Sequence, residues 1–382
     1  MAEISRKDRA VGAIMGTLIG DALGLGCHWY YDLDAMRADY GDWISDYTDQ
    51  KPDRTDRFSY IAKHRHSFGL KAGDVSQTGE MIVLLMESVA NSGGYDEDDY
   101  TARLDGFLAT LDGTDLSGRF SDRAVRHIWK LRNLDIPWGE TGIAAAPQAA
   151  DSHTMLSQPR LKPHPNASES EITVQAGGVT DTSEAAQRAV VIAALCGDDY
   201  ETMAKQAYSN ILLTHHDRYN VGYSLSFMLS VASLINGVPL NNIQPHLTTF
   251  TNNPAIEPML ACWDIHQQIG DGSTGADSSI VLDPRDACRI FGLACTMGFL
   301  APAAYFLIHR FPDNFEMAVL NAVNGGGNQM ARAALTGGLS GAMVGIQGIP
   351  ERFITGLNDH ERLLGLAEKI ADGRPQISRK AS

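Results

Sequence analysis

The sequence predicts an all-α fold. Apolar residues recur at the helical period along most of the 382-residue chain, and sustained two-residue alternation is nearly absent. Gly12, Gly16, Gly20 and Gly24 add a third observation, because a spacing of four places them on one helical face. Each glycine costs a helix interior about 1 kcal/mol relative to alanine. Such a stripe requires another helix, or a ligand, to approach that backbone closely.

The elements follow in order. After the glycine-spaced helix, segments 81–90 and 101–111 read as helices, separated by the break Ser92-Gly93-Gly94. Segments 183–196 and 200–213 come next, and then Val221, Leu225, Met228, Ala232 and Ile235 form one apolar stripe behind an Asp217 start signal. Segments 254–269, 284–308 and 315–322 continue the pattern. Asn324-Gly325-Gly326-Gly327-Asn328 then opens a small-residue helix over 329–344, and 358–371 closes the series. Two irregular regions, 43–73 and 139–179, are rich in Pro, Gly, Ser, His and charge and read as long loops over a helical core. The helices on both sides share one composition, so the expectation is a single domain over 1–382 with an ordered core from about 8 to 372.

Composition excludes several classes. The 44% apolar content supports a large core, while 31 Lys and Arg against 46 Asp and Glu give a net charge of -15. That balance argues against nucleic acid or an anionic membrane surface as partner and leaves a small-molecule ligand. The five cysteines, Cys27, Cys196, Cys262, Cys288 and Cys295, show no metal-ligand spacing and read as reduced core thiols. The first ten residues are polar, and the apolar run behind them is interrupted at Asp21, short of a membrane span. A cytoplasmic protein without signal peptide or anchor is expected, its oligomeric state unspecified.

Four blocks in order resemble one family. They are Gly20-Asp21-Ala22-Leu23-Gly24; Gly73-Asp74-Val75-Ser76-Gln77-Thr78-Gly79-Glu80-Met81; Thr214-His215 before a long apolar helix; and Ile349-Pro350-Glu351-Arg352. Together they resemble the ADP-ribosylglycohydrolase superfamily from about residue 9 to 357. The resemblance implies a compact orthogonal multi-helix bundle that hydrolyses a glycosidic bond of an ADP-ribosyl or related ribosyl compound. It also implies two magnesium ions, held by a Thr-Asp-Asp-Thr motif and a late Gly-Gly-Asp-x-Asp-Thr motif. Here Ser76, Gln77, Thr78 and Gly79 stand in the first motif, and Gly326, Gly327, Asn328, Gln329, Met330 and Ala331 in the second. Every motif carboxylate is missing, and His28 replaces the family's glutamate after the first block. Neutral amides and a thioether do not hold magnesium comparably, so no metal cofactor is expected. His28-Trp29-Tyr30-Tyr31-Asp32, Gly93-Gly94-Tyr95 and the run to Arg332 resemble the jellyfish J-crystallin branch, which implies the same fold with its dinuclear site dismantled.

If the cleft is kept, its polar groups would be Asp21, His28, Asp74, Ser76, Gln77, Thr78, Glu80, His215, Asn328, Gln329 and Arg332. Two carboxyl groups break a glycosidic bond without metal, one as acid and one as base or nucleophile. Asp21 and Glu80 are the candidate pair, with a raised pKa expected for a buried Asp21. The alternative for Asp21 is a bond to a neighbouring helix terminus. His28 is a further acid-base candidate. Trp29, Tyr30 and Tyr31 offer a stacking face for a base or sugar, or else a core aromatic cluster. The loop with Gly326 and Gly327 is an anion seat or a close helix contact. Arg332 is a fork for a diphosphate or carboxylate, or a partner for a buried acid. In His215-His216-Asp217 the adjacent histidines point to different faces and Asp217 reads as an N-cap, which leaves little for a metal site with His64 and His66. Two functions remain open: a metal-independent glycosidic hydrolase, or a non-catalytic nucleotide-binding or structural, crystallin-like protein.

Overall fold

The computed structural model describes residues 4–142, 182–195, 197–260 and 282–373. Among them are sixteen α-helices, three short 3₁₀ turns and no strand beyond an isolated Thr182–Thr296 bridge. The centre is α1 (Arg6–Leu25), buried from Ala10 to Leu25, packed antiparallel on α14 (Gln329–Val344). The glycine stripe explains this contact. A Cβ on Gly16 would stand 2.2 Å from the Gly337 carbonyl oxygen, and one on Gly20 would stand 2.1 Å from that of Ala333. Gly337 and Gly341 are equally close to Gly16 and Gly12 from the other side. The backbones touch, as the spacing predicts.

The remaining helices wrap this pair. They are α2 (Leu33–Tyr40), α3 (Ser59–Phe68), α4 (Gln77–Ser92), α5 (Glu97–Leu108) and α6 (Arg123–Arg132) on the N-terminal side. Then come α7 (Glu184–Leu195), α8 (Tyr200–Leu212), α9 (Arg218–Ile235), α10 (Ile243–Thr251), α11 (Pro284–Phe291), α12 (Met297–Arg310) and α13 (Phe315–Asn324), with α15 (Glu351–Gly356) and α16 (His360–Asp372) after α14. One connected apolar cluster runs through them from Ala10 to Ala371. Starts and stops obey local chemistry. Asp217 caps α9 by accepting from Asn220 N–H, and Gly93 ends α4 in the left-handed conformation at φ 73°.

Three expectations change. Segment 284–308 is two helices, because Gly292 at φ 125° turns the chain and its Cβ position would meet the Phe299 ring at 2.5 Å. Segment 43–73 is not wholly irregular: α3 lies inside it, a polar helix that buries only Ile61, Ala62 and Arg65. Helices α2, α6, α10 and α15 were also not separated from loop by periodicity; each is ten residues or shorter. Most of the second irregular region, the end of segment 254–269, Cys196 and Cys262 lie outside the described residues. Cys27 and Cys288 are buried free thiols.

Candidate active site

Four helices aim their amino ends at one cavity of about 330 Å³. The start of α4 supplies Ser76, Gln77 and Thr78; that of α6 supplies Asp122, Arg123 and Arg126. The approach to α7 gives Thr182, Glu184 and Gln187, and α14 gives Asn328, Met330 and Ala331. His28 and Trp29, just past α1, close one side together with Arg65, Phe120 and Cys295. Gln77 fixes the geometry between α4 and α6. Its Nε2 donates to Ser121 Oγ at 2.7 Å, and its Oε1 accepts from Arg119 N–H at 2.9 Å. Trp29 meets Phe120 edge-on at 5.6 Å between ring centroids, forming an aromatic wall.

Two carboxyl groups face this space, their pKa values shifted in opposite directions. Asp122 caps α6, its Oδ1 accepting from Val125 N–H at 2.8 Å. Burial, with the neighbouring Glu184 charge, pushes its carboxyl up to about 7. Burial alone would also raise Glu184, but His215, with help from Thr182, holds it below the ordinary glutamate value. His215 Nε2 lies 3.5 Å from Glu184 Oε2, and its Nδ1 is 2.8 Å from Thr214 Oγ1. Arg188, fully buried, donates to that same Thr214 hydroxyl at 2.8 Å and to the Asn210 carbonyl at 3.1 Å. Hydrogen bonds therefore run from α8 to His215, whose Nε2 also bonds Thr182 Oγ1 at 3.2 Å and stands in ion-pair range of the cavity carboxylate.

A family model described as ADP-ribosylglycohydrolase matches residues 2–379. The chain belongs to the ADP-ribosylglycohydrolase family. An uncharacterized protein of Archaeoglobus fulgidus is 21% identical over 366 residues, covering 95% of this chain and 96% of its own. A solved structure titled "ADP-ribosylglycohydrolase-related protein complex" superposes with a TM-score of 0.62 at 17% identity, over 96% of this chain and 98% of that one. At that identity the match establishes the fold.

In this family member the cavity gathers His28, Trp29, Ser76, Gln77, Thr78 and Asn328 from the sequence candidates. The others lie elsewhere. Asp21 is fully buried one layer back, where Oδ2 accepts from Ser76 N–H at 2.6 Å and Oδ1 from Ser76 Oγ at 2.7 Å. It binds a helix terminus, and does not line the cavity. Glu80 and Asp74 line a separate groove, where Glu80 pairs with Arg119 at 2.8 Å and Asp74 accepts from Asn358 at 2.8 Å. The pair Asp21 and Glu80 thus does not meet across one substrate space. His215 stands behind Glu184.

The glycine loop is occupied by its own chain. Gly327 N–H donates to Tyr30 O at 2.6 Å and Asn328 N–H to Leu293 O at 2.8 Å, so those donors are not offered as an anion seat. Both Gly326 and Gly327 have positive φ, 75° and 68°, which this tight contact requires. Arg332 is buried and donates from Nε and Nη2 to Ala322 O at 3.1 and 2.9 Å, tying α14 to the carboxyl end of α13. Its Nη1 has no protein partner, it is not bonded to Asp21, and it does not line the cavity. Gln329 is buried against Met36, and Tyr30 turns inward to donate to Asp39 at 2.5 Å under the Arg54 guanidinium. His64 bonds Gly118 O at 2.9 Å. Among the described residues no group of three His, Cys, Asp or Glu is placed to hold a metal, and no helix is long and apolar enough to cross a membrane.

Sequence reasoning missed Arg65, Asp122, Arg126, Glu184 and Gln187. Asp122 and Glu184 both sit at helix starts, where an acid is the expected cap or first-turn residue. That ordinary role conceals them, and only their convergence distinguishes them from other caps.

Proposed function

We propose that the protein hydrolyses a glycosidic bond of an ADP-ribosyl or related small ribosyl compound in this cavity, without magnesium. The observation that carries it is the Asp122–Glu184 pair, whose environments drive their protonation apart. Asp122, holding its proton near neutral pH, donates it to the leaving atom as the glycosidic bond breaks. Glu184, ionised, accepts a proton from attacking water or adds to the anomeric carbon itself. His215 acts as a positioning residue that keeps Glu184 charged and oriented. Gln187, 1% exposed and with Oε1 unpartnered, offers an acceptor to a sugar hydroxyl. Trp29 and Phe120 provide the stacking face.

The donor set supports the absence of magnesium. The segments standing in the family's two metal motifs bring hydroxyls, amides and Met330 to the cavity, with His28 and Arg65 beside them. Asp21 keeps both oxygens on Ser76. These residues supply no anionic oxygen, and the cavity's own carboxyl groups, Asp122 and Glu184, are only two, too few for a pair of hard divalent cations. The J-crystallin-like branch is the corresponding reading of the sequence. Incubation with ADP-ribosylated peptides and free ribosides, with and without chelator, tests the proposal. Chelator-insensitive turnover that Asp122→Asn and Glu184→Gln each lower by about 10²-fold or more is expected, and no turnover across the panel would overturn it.

A binding protein is the second reading. It is favoured by Asp21 and Glu80 both being committed to protein partners. A thermal shift with ADP-ribose and no cleavage supports it.

A further inference from the structure

Arg65 is a buried cation without a counter-ion. It projects from α3, is 2% exposed, and among the described residues no carboxylate lies within ion-pair distance of it. Its Nε donates to Arg119 O at 3.3 Å, while Nη1 has no protein partner. Burial lowers its pKa to about 10, which still leaves it charged at neutral pH. Asp21 is the acid whose charge reaches it, but both Asp21 oxygens are taken by Ser76. The Phe120 ring, 5.5 Å from the guanidinium carbon, offsets part of the desolvation, and an anion would offset the rest.

The surroundings favour the same kind of ligand. His28, also 2% exposed, lines the cavity with both ring nitrogens unpartnered. Burial and the nearby arginines keep it neutral, so one nitrogen carries a hydrogen to donate. The amino end of α4, a 16-residue helix, points into the space with its dipole positive. Arg126 of α6 adds a cation. We propose that the part of the cavity bounded by His28, Arg65 and the first turn of α4 binds a phosphate-type oxyanion. Its oxygens accept from Arg65 and His28, and Asp122 and Glu184 face the remainder of the ligand. This rests on and deepens the reading of the cavity as a ribosyl-compound site, and it is tested apart from hydrolysis because binding needs no turnover.

Calorimetry at constant ionic strength tests it with inorganic phosphate, ribose 5-phosphate and ribose, and needs no turnover. Saturable phosphate binding is expected, weakened about tenfold or more by Arg65→Gln. His28→Glu guards against a folding defect, because it places a carboxylate beside Arg65. It should abolish phosphate binding while the circular dichroism and melting temperature hold. Arg352→Gln, an exposed partner of Glu316, should bind as wild type does. Equal affinity for phosphate and ribose 5-phosphate marks a free anion; tighter binding of ribose 5-phosphate with ribose inert marks a phosphorylated sugar. The proposal is overturned if wild type binds neither phosphate compound saturably, if ribose binds as tightly as ribose 5-phosphate, or if Arg65→Gln and His28→Glu leave affinity unchanged.

Discussion

At the scale of single residues, burial sets the charge states, and those states make pH the sharpest probe. Asp122, titrating at about 7 beside Glu184, must be protonated to act as the acid. Turnover should therefore fall as pH rises through about 7. His215 lowers Glu184, so His215→Gln should let the glutamate rise and move the acidic limb of kcat/KM to higher pH; a purely structural role would reduce rate without moving that limb. Asp122→Asn and Glu184→Gln should each lower kcat by about 10²–10⁴-fold, measured on folded protein by single-turnover assay. Asp21 answers a different question. Its carboxyl is raised to about 6 by burial, against the opposing hydrogen bonds from Ser76, so the folded state favours the protonated form. That stability is present below about pH 4 and lost as pH rises through 6, amounting to about 3 kcal/mol. Asp21→Asn should remove this slope when denaturant midpoints are compared between pH 4.5 and 7.5.

At the scale of elements, the α1–α14 contact and the helix starts divide the work. The glycine stripe lets two backbones touch, and it thereby fixes where α14 begins: a Cβ on Gly24 would stand 2.3 Å from Met330 Cα. Gly16→Ala drives a methyl into the Gly337 carbonyl and should destabilise by about 3 kcal/mol or more, read by denaturant unfolding. Gly106→Ala in α5 and Gly365→Ala in α16 meet nothing within 4 Å, and should instead stabilise by about 0.5–1 kcal/mol. The long helices α1, α9 and α14 were legible because each carries a spacing that packing enforces. Helix α3 was not, since most of its residues are polar and its one buried cation is explained only by what surrounds it.

Across the whole molecule, the fold converts four helix amino ends into a positive concavity inside a chain of net charge -15. A chelator should leave turnover and melting temperature unchanged; stoichiometric magnesium in the purified protein would contradict the lost-site reading. The sequence by itself determined the helical class, the close approach at Gly12 to Gly24, the cap at Asp217, and the family, because these depend on spacing, local hydrogen bonding and the order of motifs. Only the tertiary structure decided which polar residues share a space. Asp21 and Glu80 are drawn away by Ser76 and Arg119, while Asp122, Glu184 and Arg65 arrive from three separate segments. The physical reason is that a charge's role depends on its neighbours and its access to water, and both are set by how the helices pack.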